Sequence, residues 1–462
     1  MIASVVAACS AAVLASGGGP EHRGGAGLLV IAPAAFAADL NGFLIAKQAA
    51  MPAELVSLES ALAKGTGPDD PARLKRYLYE RWRAGGVGYV LLVGDADTLP
   101  VRYMVLDRVT EPAFHYAFYP SDLYYADLAK PDGTFEDWNG AKDGFHAGYF
   151  GEVRGEKNKS DPINYDAIDY RPEIAVGRWP VSTGDEARRV AEKTLVYETG
   201  VRTGEKPGAR RAAFVATGGW VENRPAMDTF ASRLPAGWVG ERLYWAGNGR
   251  DDKTIAPDEA GVLDLLNQGL GLVVHSGHGS DHHWDGSIGE GTLAKLKNAD
   301  RLPVLFSAGC STARFATLPP YEAYVDVDGR EHAGTNSGEV FSAPPPPPAC
   351  YQKGRYNPTG FGEQLLRAGP GGAVAYIGCN TGSQPCGMTL ADGFMEALGS
   401  APAQGTRLGD CWVAAVTAYY TKERLADLKP NEDWYPPSIF FQGMKFMLYG
   451  DPTLTMPGPA PK

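Results

Sequence analysis

Several absences narrow what this chain does. Past residue 19, no apolar run approaches the ~20 residues of a membrane span. None of its 6 cysteines is spaced Cys-x-x-Cys, so a cysteine metal site is not indicated. No basic run is interleaved with aromatics, which makes nucleic acid a poor partner. Lysine and arginine number 43 against 54 aspartates and glutamates, a formal net charge of −11 that speaks mainly to solubility. Charged residues make up only 21% and hydrophobic ones 44%, as in ordinary globular proteins, and 462 residues suffice for two domain-sized halves.

What is present is an alternation of short apolar runs with helical patterns. Runs at 27–31, 89–93, 174–176, 212–216, 272–274, 302–306 and 373–377 are apolar without polar interruption, as in strands buried on both faces. Between the first two lies a helix that Asp70 can cap, with Pro71 at its first position and Gly85 ending it. Thr183-Gly184-Asp185-Glu186 has the form of a capping box. Further helices are expected at 257–268, closed by Gly269, and at 292–298. Strands alternating with helices imply parallel sheets with right-handed crossovers.

Two of these runs end in reactive side chains. One leads into His275-Ser276-Gly277-His278-Gly279, the other into Ser307-Ala308-Gly309-Cys310-Ser311. A histidine among glycines and a cysteine after small residues, each just past a buried strand, can present nucleophile and proton shuttle together. The glycines allow close approach and leave amide N–H groups free for an oxyanion. Zinc is the competing use of His275, His278, His282 and His283. Hydrolytic zinc sites, however, often set two histidines four apart on a helix beside a glutamate, and this glycine-rich loop is not helical.

The strings SGHGSDHHW (276–284) and FSAGCS (306–311) resemble the catalytic core of the gingipain family, cysteine peptidases of caspase-like fold. YVLLVGDADTLP (89–100), IAVGRWPVST (174–183), GGAVAYIG (371–378) and LYGDPTLTM (448–456) extend the resemblance from about residue 27 to the C-terminus. It implies an α/β fold of two caspase-like subdomains, each a mostly parallel sheet flanked by helices. These would be residues 26–205, with an acidic insertion, and a catalytic part at 206–456. It implies a cysteine endopeptidase acting on protein or peptide substrates, with Cys310 as nucleophile and His278 as proton shuttle. Gly279 and Cys310 would supply the oxyanion N–H groups. Arginine-specific members bring a glutamate near the catalytic histidine, whereas Val215–Gly219 here has no carboxylate, so a Cys-His dyad with a backbone carbonyl orienting His278 is expected. Asp228 lies where those members carry the acid of their specificity pocket, so it is either a reader of basic side chains or an exposed helix residue. The alternative function is a non-catalytic or transpeptidase relative in a protein-secretion pathway.

Residues 103–170 are rich in Asp and Tyr and contain the oxygen donors Asp122, Asp127, Asp132, Asp137, Asn139, Asp143 and Glu152. Closely spaced oxygen donors suit Ca²⁺, and the family resemblance adds structural calcium, with Asp132, Asp137, Asn139 and Asp143 as candidate ligands; a solvated acidic loop is the competing reading. No cofactor is expected for catalysis itself. Prolines at 344–348 mark either a lid beside the catalytic strand or a surface excursion.

Residues 1–25 read as an export-signal-like or disordered leader. The stretch 1–19 is uncharged and apolar, and Val6-Ala7-Ala8-Cys9 looks like a lipoprotein cleavage box. An extracytoplasmic location follows as an expectation: secreted, periplasmic or lipid-anchored. Cys350, Cys379, Cys386 and Cys411 allow two disulfides or four buried thiols.

Overall fold

Strand β1 (Gly27–Ala32) is buried at every position and pairs in parallel with β2 (Ala53–Ser57) on one side and β3 (Val87–Val93) on the other. These elements belong to a computed structural model that describes residues 26–106, 118–139, 150–151, 153–154, 158–206, 208–246, 254–319, 321–334, 347–352, 360–432 and 435–461. The leader with Cys9, the candidate ligand Asp143, Glu152 and three of the five prolines at 344–348 lie outside the described residues.

β3 pairs with β4 (Ala175–Trp179). The second half supplies β5 (Arg211–Ala216), β6 (Val239–Tyr244), β7 (Leu272–Ser276), β8 (Val304–Ser307) and β9 (Ala375–Cys379). Strand β10 (Phe446–Tyr449), from near the end of the chain, inserts between the halves, parallel to β4 and antiparallel to β9. The order is β2-β1-β3-β4-β10-β9-β8-β7-β5-β6. The expected class is what the structure shows: α/β, with a mostly parallel sheet flanked by helices. The two halves share that sheet, ten strands wide, joined through β10.

Burial on both faces explains why the strands read as unbroken apolar runs. Leu272 and Val274 enter one core and Val273 the opposite one; Val304 and Phe306 likewise oppose Leu305. The runs at β2 and β6 are masked in the sequence by polar residues, because these are the sheet's edges. Glu54, Glu241 and Arg242 stand there where an inner strand would carry aliphatics.

Helices α1 (Ala37–Gln48), α2 (Asp70–Arg83), α3 (Gly184–Thr203), α4 (Arg224–Ser232) and α5 (Glu259–Gln268) link the strands. Asp69, not Asp70, caps α2: its extended backbone lets Oδ1 accept the Ala72 N–H at 2.9 Å, while Asp70 already lies in the first turn. Thr183 caps α3, and Glu186 reaches back to the Ser182 N–H at 2.8 Å. Asp258 caps α5, and Gly269 closes it at φ 103°. Among the described residues no helix is long and apolar enough to cross a membrane. Cys350, Cys379, Cys386 and Cys411 are buried free thiols.

A buried charge pair braces the first half. Arg178 of β4 is fully buried and grips Asp122 with two N–H groups, both at 2.7 Å, while a third reaches the Gly94 carbonyl at 2.8 Å.

Candidate active site

Neighbouring strands β7 and β8 run parallel with His275 opposite Ser307. Three residues beyond each partner lie His278 and Cys310, so the same register that pairs the strands brings their loops out together at one end of the sheet. The loops touch. A Cβ on Gly279 would stand 2.6 Å from Thr312 Cγ2 and 3.3 Å from the Cys310 carbonyl oxygen, which is why this position needs glycine. Directly after Cys310, Ser311 adopts a left-handed φ of 56° and donates its N–H to the Thr381 carbonyl at 2.7 Å. A non-glycine residue held there is the kind of local strain that gathers at functional turns.

Cys310 is half-buried. Its sulfur accepts the Ser383 N–H at 3.3 Å and lies 3.6 Å from the Ser383 carbonyl. Ser383 follows β9, the strand on the other side of β8, so the thiol is enclosed from three strand ends.

His278 is exposed, and its Nε2 is 2.9 Å from the Gly219 carbonyl. A carbonyl only accepts, so Nε2 carries a hydrogen and donates it to Gly219. Gly219 stands at φ 77° just past β5, where the sequence offers no carboxylate. Glu222 is engaged with Arg224, Nε to Oε1 at 2.8 Å. Among the described residues, the amide N–H groups of Gly279 and Cys310 donate to nothing else.

A buried network supports the loops from below. His275 Nδ1 is 2.9 Å from Ser307 Oγ, and the ring stacks on Trp284 at 4.1 Å between centroids. Burial pushes the His275 imidazole down to about 3, so it stays neutral. Ser307 Oγ also accepts the Gly309 N–H at 3.2 Å, fixing the turn that carries Cys310. Sequence reasoning missed Ser307 and Ser383, and it expected a backbone carbonyl against His278 without assigning it to Gly219. Of these, only Ser383 had a signal, a small-residue loop after the 373–377 run.

The other expected residues are placed elsewhere. His275 is inside, His282 bonds Glu290 at 3.0 Å, and His283 bonds Asp285 at 2.6 Å. Among the described residues no three His, Cys, Asp or Glu side chains form a group able to hold a metal. Asp228 is 53% exposed on α4 and takes Arg242 at 2.6 Å and Tyr244 at 3.0 Å. It is therefore a neutralised surface carboxylate and not the buried, unpaired acid that a basic-substrate pocket requires. Asp132 is exposed and folds onto Thr134, and Asp137 accepts the Asn139 N–H at 2.9 Å. The Asn139 Oδ1 atom is buried without a hydrogen-bond partner among the described residues, and the fourth expected ligand, Asp143, lies outside them. Nearby, the fully buried Lys75 ammonium lies 4.5 Å from the Tyr124 ring and 4.8 Å from that of Trp138. Burial pulls it down to about 8 against the opposing pull of Asp127, Glu136, Glu173 and Asp137. The acidic segment thus carries a cation of its own.

A mostly parallel α/β sheet that presents a cysteine and a glycine-flanked histidine from adjacent strand ends has the layout of a cysteine peptidase. The chain belongs to peptidase family C25, whose model matches residues 22–457. Gingipain R2 of Porphyromonas gingivalis is 25% identical over 166 residues, 35% of this chain but only 22% of that protein. An uncharacterised protein of Archaeoglobus fulgidus is 23% identical over 386 residues, 76% of this chain and 74% of its own. The crystal structure of the Arg-specific cysteine proteinase gingipain R (RgpB) shares the fold with a TM-score of 0.61 at 18% identity, covering 95% of this chain and 80% of that one.

Proposed function

We propose that this chain is a cysteine endopeptidase working through a Cys310–His278 dyad. His278 Nδ1 takes the thiol proton as the sulfur attacks the scissile carbonyl. The oxyanion is received by the N–H groups of Gly279 and Cys310. His278 then passes its proton to the leaving amine, and water activated by the same imidazole releases the acyl group from sulfur. The observation that carries this reading is the convergence of an oriented imidazole, a thiol and two unused N–H donors on adjacent strand ends. The proposed setting is extracytoplasmic, with protein or peptide substrates. A peptide-library cleavage profile tests the proposal. Hydrolysis at internal bonds is the expected result. Transfer of the acyl part to an amine acceptor without hydrolysis would mark a transpeptidase, and inertness in both assays a non-catalytic relative.

A preference for basic residues does not rest on Asp228, since Arg242 already occupies it. Asp228→Asn is expected to leave the ratio of Arg to neutral cleavage in the same library unchanged within about twofold, as for an exposed ion pair. A selective loss of Arg cleavage in the folded variant would return Asp228 to the pocket.

Calcium is a separate proposal, a structural ion held by Asp132, Asp137, Asn139 and Asp143, and excess calcium is expected to raise the melting temperature over that in chelator, by mass action. An unchanged melting temperature across chelator and excess calcium would remove it.

A further inference from the structure

A cavity of about 1030 Å³ lies at the opposite end of the sheet from Cys310, where β5 begins at Arg211. It is walled by the C-terminal turns of α1 and α3, the 208–211 segment and the chain around 403–407 and 453–458. Six cations line it, Lys47, Arg202, Lys206, Arg210, Arg211 and Arg407, against the single carboxylate of Glu198. Lys47 takes Glu198, and Arg211 takes Glu241 at 3.1 Å. Among the described residues the other four make no salt bridge, although Asp300 acts on Lys206 and Glu198 on Arg407 from further off. Arg210 spends only Nε, on the Gly458 carbonyl at 3.1 Å, and Lys206 bonds the Leu270 carbonyl at 2.9 Å. Arg407 lies over the Tyr89 ring at 5.0 Å.

Helix ends account for only part of this charge. Arg202 sits in the last turn of α3, where a cation is welcome. Arg407 occupies the N-cap of α6 (Leu408–Lys422), the end of a helix that disfavours a cation. In a chain of net charge −11, three arginines around one concave space, beside a buried Lys206 that burial pulls down to about 7, call for an anion. The space is of the size that takes a small ligand.

We propose that this cavity binds a small polyvalent oxyanion, with clustered phosphate or carboxylate groups, gripped by Arg202, Lys206, Arg210 and Arg407. The site is separate from the dyad and stands whether or not the peptidase reading does. Calorimetric titration of the full chain with tripolyphosphate and with citrate at low salt tests it. At least one of them is expected to bind, weakening as salt is added, and the tighter of the two tells phosphate from carboxylate. Arg407→Glu, and the exposed Arg202→Glu should the first not fold, are each expected to weaken that binding at least tenfold. Arg424→Glu, a charge reversal of the same size elsewhere on the surface, is expected to leave it within twofold. No binding of either anion, or an equal loss in Arg424→Glu, would overturn the proposal.

Discussion

Cys310→Ala is expected to lower peptide hydrolysis by roughly 10⁵-fold or more while the protein melts as the unaltered chain does, because losing the nucleophile of such a pair removes nearly all of its covalent catalysis. Among the described residues the thiol makes only two weak polar contacts, both with the Ser383 backbone, and it is half-buried, so the methyl replacement leaves little unsatisfied. The supporting structure is elsewhere, in Ser307, His275 and Trp284 beneath the turn. His278→Ala should fall nearly as far, since Nδ1 serves both proton transfers. Parallel measurements of turnover and thermal melting on the two variants check this. Activity within tenfold of the unaltered enzyme in folded Cys310→Ala would rule out the assignment.

Arg178→Met carries the largest stability effect. Removing the guanidinium strands the Asp122 carboxylate, 10% exposed, and leaves the Gly94 carbonyl without its donor. Breaking a buried pair on one side costs about 3–5 kcal/mol, because the remaining charge is neither solvated nor matched. The Asp122→Asn/Arg178→Met double variant should recover part of the loss, since no charge is then stranded. Denaturant melts of the single and double variants measure both. A single variant as stable as the unaltered chain would show that solvent reaches Asp122 freely.

Much of the architecture was legible for a definite physical reason. Strands β1, β3, β5, β7, β8 and β9 are covered on both faces, and that condition writes continuous aliphatic runs into the chain. The edge strands β2 and β6 were not legible, because one side of each meets solvent. β10 is apolar but only four residues long, and nothing local says that it crosses back to join the halves. At the site, His278 and Cys310 stood out through their glycines and strand-end positions. Their equal offset from the paired His275 and Ser307 is a matter of register, which depends on a partner strand and has no local signature. The same holds for Gly219, which acts through a carbonyl that every residue possesses, and for Lys75, whose acids come from a segment some fifty residues away or more. Asp228 stayed open between two readings because a carboxylate on a helix looks the same in sequence whether it faces a pocket or Arg242.

The most direct test of the central claim is alkylation of the full chain with iodoacetamide, followed through the loss of peptide cleavage and the mass-mapped position of the adduct. Cys379 and Cys411 are buried, and burial raises both thiols to about 12, so Cys310 should be the first cysteine to react among the described ones. The account predicts that cleavage disappears in step with modification of Cys310 and survives a metal chelator. Undiminished cleavage by protein fully alkylated at Cys310 would contradict it.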